Sequence, residues 1–221
     1  MSHLSIGKVV CVGRNYVAHA KERGNDVPES PMLFLKPASS VTYLSDDKNV
    51  SATFLDVPRN QSYDVHYETE LCLQLGQDLV NADVQTVQQA MQNGLIAGVT
   101  VGLDLTLRDL QSELKAKGHP WERAKCFAGS CVLADWMDAT QIDDFASVRY
   151  QLLINDTLTQ DGDTKLMIFD IPHLLSDASF AFGLQAGDVI MTGTPSGVGK
   201  LEAGDTLTLR LGDKAWVIEV K

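Results

Sequence analysis

Between Val65 and Leu75 the chain reads Val-His-Tyr-Glu-Thr-Glu-Leu-Cys-Leu-Gln-Leu, with Leu71, Leu73 and Leu75 at every second position and Glu68 and Glu70 two residues apart just ahead of them. Side chains alternate across a strand, so this spacing predicts one that seats its leucines in a core. Both glutamates then turn to the other face, roughly 6.6 Å apart at Cα. Two carboxylates so placed repel each other unless something positive sits between them, and a hard divalent cation is the commonest such object. A solvent-exposed acidic strand face is the competing reading, because acidic side chains are mostly exposed.

A third acid lies further along. The apolar run Leu95 to Leu105, with Gly98 and Gly102, predicts a buried strand that ends at Asp104. Thr106 followed by Asp109 predicts a capping pair opening a helix through Lys117, with Gly118 stopping it. Asp104 is then expected at the carboxyl end of a strand just before a helix, where the loops of a rigid scaffold carry chemistry. A satisfied turn carboxylate is the other reading.

The remaining pattern is many short strands and few helices. Lys8 to Val12, Met32 to Leu35 (halted by Pro37), Val189 to Thr192, Thr206 to Leu211 and Ala215 to Val220 read as strands. Val148 to Ile154 reads as the first arm of a hairpin turning at Asn155-Asp156. Helices are expected over Asn15 to Arg23, over Asp83 to Met91 closed by Asn93-Gly94, and from Asp170 to about Phe182, with Pro172 in the first turn of the last. Ser45 to Val50 and Pro58 to Asp64 are polar and turn-rich and read as loops near the site entrance. The fold class is therefore α+β and β-rich rather than a wound parallel sheet. At 221 residues, a single domain is expected, with residues 1–50 as an N-terminal portion and 51–221 as the core.

A net charge of -11 with no basic run argues against nucleic acid or an anionic membrane as a partner. Cys11, Cys72, Cys126 and Cys131 lack metal-ligand spacing and read as reduced thiols. The first residues lack the apolar core of a signal peptide, and no apolar stretch reaches the roughly 18 residues of a membrane span. A cytoplasmic protein is expected.

Taken in order, Cys11-Val-Gly-Arg-Asn-Tyr-Val-Ala-His19, Phe34-Leu-Lys-Pro37, His66-Tyr-Glu-Thr-Glu70, Asp104-Leu-Thr-Leu-Arg-Asp-Leu-Gln111, Ala124-Lys-Cys-Phe127, Gln160-Asp-Gly-Asp-Thr164 and Thr192-Gly-Thr-Pro-Ser-Gly-Val-Gly199 run nearly end to end. Together they resemble the fumarylacetoacetate hydrolase family, and within it the short acylpyruvate hydrolase and oxaloacetate decarboxylase group. The resemblance implies a β-roll of mixed sheets and a homodimer. It also implies Mg2+ or Mn2+ held by Glu68, Glu70 and Asp104, with Ca2+ as a non-native occupant. An all-oxygen set of this kind suits hard metals and disfavours zinc.

Other residues gain roles from the same source. His19 and Glu22 lie three apart on one helix and can pair. A carboxylate beside an imidazole raises its basicity, and related acylpyruvases use a His-x-x-Glu dyad here. A surface pair supporting a helix is the plain alternative. Lys125 is expected to stabilise an enolate oxygen and Lys36 to bind a substrate carboxylate, although each is also readable as a surface lysine. Arg14, Arg108 and Gln111 are further candidates for substrate binding. The loop at Thr192 has the wrong spacing for a nucleotide phosphate. By resemblance, its amides and the Thr192 or Thr194 hydroxyl cradle a substrate carboxylate.

These roles imply a metal-dependent hydrolase that cleaves the C–C bond of a small acylpyruvate, such as fumarylpyruvate or acetylpyruvate. His19, oriented by Glu22, activates water, and the pyruvate enolate that departs is stabilised by the metal and Lys125. The same site can decarboxylate oxaloacetate, or interconvert the keto and enol forms of oxaloacetate or a hydroxymuconate. A non-catalytic 2-oxo-acid-binding protein and a Ca2+-stabilised structural domain are the rivals from other classes.

Overall fold

The structure is a computed structural model that describes residues 4–22, 24 and 26–221. Its strands, in chain order, are β1 (Lys8–Gly13), β2 (Met32–Pro37), β3 (Val41–Tyr43), β4 (Asn49–Val50), β5 (Thr53–Asp56), β6 (Gln61–Tyr67), β7 (Thr69–Leu75), β8 (Ile96–Asp104) and β9 (Thr106–Leu107). There follow β10 (Cys131–Leu133), β11 (Met137–Asp138), β12 (Arg149–Ile154), β13 (Thr157–Asp163), β14 (Val189–Met191), β15 (Gly199–Lys200), β16 (Thr206–Leu211) and β17 (Lys214–Val220). The helices are α1 (Val17–Glu22), α2 (Val84–Gln92), α3 (Arg108–Ala116), α4 (Glu122–Lys125) and α5 (Ile171–Phe182).

The largest sheet has the order β2-β1-β14-β7-β8-β10-β3, with β11 paired to β8. Within it β1 runs parallel to β14, and β10 to β3, while β7 and β8 pair antiparallel. A second sheet, β13-β12-β16-β17-β4, packs beside it, and a third joins β15, β6 and β5 with β9 on β6. The strand-rich α+β architecture expected from the sequence is the one observed. The N-terminal portion is woven into the large sheet, where β1 lies between β2 and β14.

Both faces of β7 are covered, which explains why every residue in it is buried. Leu71, Leu73 and Leu75 enter the main core with Val99, Val101 and Leu103 of β8. Each such side chain contributes about 1.5–3 kcal/mol on burial. Cys72 points the other way, into a smaller cluster with Cys11, Cys131, Leu133 and Met191. Gly102 allows the sheet to close here, because a Cβ at that position would lie 2.5 Å from the Val132 carbonyl oxygen on β10. The predicted alternation therefore holds, but the glutamate face of the strand is a second interior and not solvent.

Several expectations need correction. Val65 to Leu75 is not one strand: Glu68 stands in a break between β6 and β7. Thr106 does not cap α3, whose first residue is Arg108 and whose N-cap, Leu107, makes no side-chain bond. Thr106 instead pairs with His66 in β9. Gln61 to Asp64 is not a loop but the start of β6, ladder-bonded to β5, and Asn49–Val50 form β4 against β17. Strand β2 runs two residues past Leu35 and ends at Pro37 itself, at the sheet edge opposite Lys8, where a missing N–H is harmless. Helix α1 begins at Val17, and its expected end at Arg23 lies outside the described residues. Elsewhere the expected caps are present: Asp83 accepts from Thr86 N at 2.8 Å, and Asp170 accepts from His173 N at 3.0 Å.

Candidate metal centre and active site

The strand geometry brings the three acids together. Glu70 on β7 is registered opposite Gly102 on β8, and the Asp104 N–H donates to the Glu68 carbonyl at 2.8 Å, so the two strand ends are tied where the acids emerge. Glu68, Glu70 and Asp104 are 7%, 1% and 1% exposed, and one oxygen of each lies within 4.8 Å of the others. It is the one such cluster among the described residues.

Cations surround two of the three. Lys125, at the end of α4, sets its Nζ 2.9 Å from Glu68 Oε2 and 2.6 Å from Asp104 Oδ2. Arg108, opening α3, pairs with Glu68 Oε1 and donates to Gln111 Oε1 at 2.7 Å. Lys36 is wholly buried, with Nζ 2.9 Å from Asp104 Oδ1 and donating to the Ser130 carbonyl at 3.0 Å and to the Lys125 carbonyl. Among the described residues Glu70 has no such partner, and its Oε2 accepts the Gly193 N–H at 2.7 Å.

The charges follow this placement. Burial pushes the Glu68 carboxyl up, but the Lys125 ammonium and Arg108 guanidinium outweigh it and hold Glu68 below the usual carboxylate range. Burial pushes Glu70 up as well, and the neighbouring Asp104 and Glu68 carboxylates push it further. Burial lowers the Lys125 ammonium, but Asp104 and Glu68 more than reverse that, so it stays charged. An all-oxygen cluster with one uncompensated, buried carboxylate suits a hard divalent cation, which would relieve the strain on Glu70.

A cavity of ≈ 290 Å³ opens over the acids. Arg14, His19, Glu22, Arg108, Gln111, Lys125 and Thr194 all line it together with the triad. Arg14 holds φ 58 at the end of β1. That left-handed conformation is rare for a non-glycine residue, and here it turns the chain from the strand toward α1. His19 is buried on α1, and desolvation lowers its imidazole below the ordinary value against the pull of Glu68 and Glu22, so it is neutral at neutral pH. Its Nδ1 lies 3.6 Å from Glu22 Oε2, beyond hydrogen-bond length. The Glu22 carboxylate is engaged instead by the Gly197 N–H at 3.0 and 3.2 Å.

Two residues expected at the substrate lie elsewhere. Lys36 does not line the cavity; it stands behind the triad, bracing Asp104 and the backbone of Lys125 and Ser130. Thr192 is also outside, its hydroxyl donating to the Leu71 carbonyl at 3.0 Å. Two amides of the Thr192 loop are already taken by the protein's own carboxylates, Gly193 by Glu70 and Gly197 by Glu22. Thr194 reaches the wall, with its hydroxyl accepting from Gln160 Nε2 at 2.9 Å. Phe34, Lys115 and Trp121, for which no role was expected, also line the cavity. Phe34 opens the Phe34-Leu-Lys-Pro37 motif, and its ring lies under Lys125 Nζ at 5.1 Å. Nothing local to Trp121 marked it, since the helix and strand that bring it to Phe34 are distant in sequence.

Comparison with known proteins adds four findings. The sequence model described as Fumarylacetoacetate (FAA) hydrolase C-terminal matches residues 8–218. The oxaloacetate tautomerase YcgM of Escherichia coli K12 is 42% identical over 205 residues, covering 92% of this chain and 88% of that protein. The mitochondrial oxaloacetate decarboxylase of Dictyostelium discoideum is 38% identical over 200 residues, 90% of this chain and 86% of its own length. Among solved structures, fumarylpyruvate hydrolase from Pseudomonas aeruginosa in complex with Mn2+ and pyruvate superposes with a TM-score of 0.86 at 30% identity, covering 97% of this chain and 89% of that one.

Proposed function

Because the chain belongs to the fumarylacetoacetate hydrolase family, we propose that it is a Mg2+- or Mn2+-dependent enzyme of small 2-oxo acids whose principal reaction is keto–enol tautomerisation of oxaloacetate. This replaces acylpyruvate hydrolysis as the leading reading, since the relatives named for oxaloacetate share more of the sequence than the fumarylpyruvate hydrolase does. The observation that carries it is the cavity itself. It is at the small end of the range for ligand pockets, and Arg14, Arg108 and Lys125 line it, which suits a compact dianion.

Glu68, Glu70 and Asp104 would hold the metal, and the chemistry it supplies when bound is Lewis-acid polarisation of the 2-oxo acid. The chain's own groups do the rest. Neutral His19 takes a proton from C3 of oxaloacetate; the C3–H electrons become the C2=C3 bond, and the C2=O pair moves onto oxygen. The Lys125 ammonium steadies the charge developing there, and the His19 imidazolium returns its proton to that oxygen. No water is consumed and no carbon bond breaks. Decarboxylation would use the same cationic stabilisation of an enolate, whereas hydrolysis would also need a positioned water.

The test is a substrate panel with Mg2+: enol-to-keto conversion of oxaloacetate against pyruvate release from oxaloacetate, fumarylpyruvate and acetylpyruvate. Tautomerisation should lead in kcat/KM by at least about tenfold, or 1.4 kcal/mol at the transition state. A lead for pyruvate release from fumarylpyruvate would return hydrolysis to first place.

The same reading gives a pH profile. A base whose pKa is lowered is active above that pKa and is lost as pH falls through it. The kcat/KM profile for tautomerisation should therefore carry an acid limb with its midpoint below the ordinary imidazole value of about 6.5. A midpoint above that value would mean that His19 is not the base.

A further inference from the structure

Asn15 stands between Arg14 and the helix that carries His19, and none of the roles above uses it. It is 0% exposed, and its side-chain amide is fully engaged. Nδ2 donates to the Thr192 carbonyl at 3.0 Å and to the Phe169 carbonyl at 3.0 Å, while Oδ1 accepts from Phe169 N at 2.8 Å. Its backbone carbonyl accepts from Ile168 N at 2.8 Å. The Thr192 carbonyl and the Gly193 N–H are opposite ends of one planar peptide, so holding the first fixes the direction of the second. That N–H is the one that donates to Glu70 Oε2.

The fit is tight. Gly193 has φ +103, and a Cβ on it would lie 2.7 Å from the Cβ of Asn15, so the peptide presses directly against Asn15. The Tyr150 hydroxyl donates to the Gly193 carbonyl at 3.1 Å and pins the following peptide. Among the described residues Glu70 is also the acid of the triad with no lysine or arginine ion pair, and the Gly193 amide is the one hydrogen bond that the fold makes to its carboxylate. Groups that orient a metal ligand in this way tune the affinity of the site.

We infer that Asn15 is a positioning residue of the metal centre: through the Thr192–Gly193 peptide it aims one N–H at Glu70 and thereby sets how the Glu70 carboxylate is presented to a cation. The same residue ties that peptide to the start of the segment bearing Arg14 and His19. The inference rests on Glu70 being a metal ligand.

The experiment measures Mn2+ affinity by electron paramagnetic resonance of the free ion, beside thermal melts of the metal-free protein. Asn15→Ala should weaken Mn2+ binding roughly 10- to 100-fold, the range for outer-shell groups. Ser179→Ala is the control. It removes a buried hydroxyl bonded to Ala82 N at 2.9 Å and to the Ser176 carbonyl at 2.8 Å, and should lower Tm without moving the Kd. An Asn15→Ala protein that loses Tm as the control does, yet keeps its Kd within about twofold of wild type, overturns the inference. Where Asn15→Ala does not fold, Asn15→Ser is measured in its place. The Asn15 side-chain amide signals of the wild type are also followed by NMR through a Mg2+ titration; they should shift, and static signals overturn the inference. A wild-type protein that binds no Mn2+ removes the premise instead, which is a separate and recognisable result.

Discussion

Glu70→Gln should lower Mn2+ affinity by more than about 10²-fold, beyond the range that outer-shell changes produce, and bring tautomerisation to the background rate. Glutamine keeps the shape of the side chain and an acceptor for the Gly193 N–H, so the loss isolates the charge. The metal-free variant should be no less stable than wild type. Burial and the Asp104 and Glu68 carboxylates already disfavour a charged Glu70, and the amide removes that repulsion. The distinguishing readout is the rise in Tm on adding Mg2+, which follows from binding to the native state alone. Wild type should show the rise and Glu70→Gln should lose it. A variant that retains the full rise would place the metal elsewhere.

His19→Ala should leave Mn2+ affinity unchanged and lower oxaloacetate tautomerisation by roughly 10²- to 10⁴-fold, the usual contribution of a positioned general base. The acid limb of the pH profile should vanish with it. Decarboxylation should fall much less, because it needs stabilisation of an enolate and no proton abstraction from carbon. Glu22→Gln should be milder than either. Glu22 is 3.6 Å from His19 and held by Gly197, and glutamine can still accept that N–H. Wild-type tautomerisation by His19→Ala would make the pair structural. Equal losses in both reactions would assign His19 to substrate positioning.

Much of this was legible in the chain. The alternation of Leu71, Leu73 and Leu75 against Glu70 and Cys72 is a local signal, and the structure preserves it. The capping residues Asp83 and Asp170 and the Asn155-Asp156 turn, with φ of 47 and 63, are local as well. The spacing of Glu68 and Glu70 and the strand-end place of Asp104 were readable from pattern, while their joining in one cluster was implied by the family resemblance. The failures have a common cause in long-range pairing. Thr106 looks like a helix cap until β6 claims it for a strand pair, and Gln61 to Asp64 looks like a loop until β5 supplies the ladder. The family resemblance assigns Lys36 and Thr192 to the substrate, with a surface lysine as the plain alternative for Lys36. Only the packing of β2 behind Asp104, and of the Thr192 hydroxyl onto β7, shows that their polar atoms are used internally. Asn15 was visible as part of a motif, but its partners lie more than 150 residues away, at Phe169 and Thr192.

The proposed reaction moves a proton at C3 of oxaloacetate with the help of a divalent cation at Glu68, Glu70 and Asp104. The direct measurement is loss of the C3 proton signal of oxaloacetate in D2O, followed by NMR together with the pyruvate signal, with chelated protein and after Mg2+ is restored. Exchange should run well above the protein-free rate with Mg2+, return to that rate with chelator, and outrun pyruvate formation. Exchange no faster than the Mg2+ blank, or exchange that never exceeds pyruvate release, would contradict it.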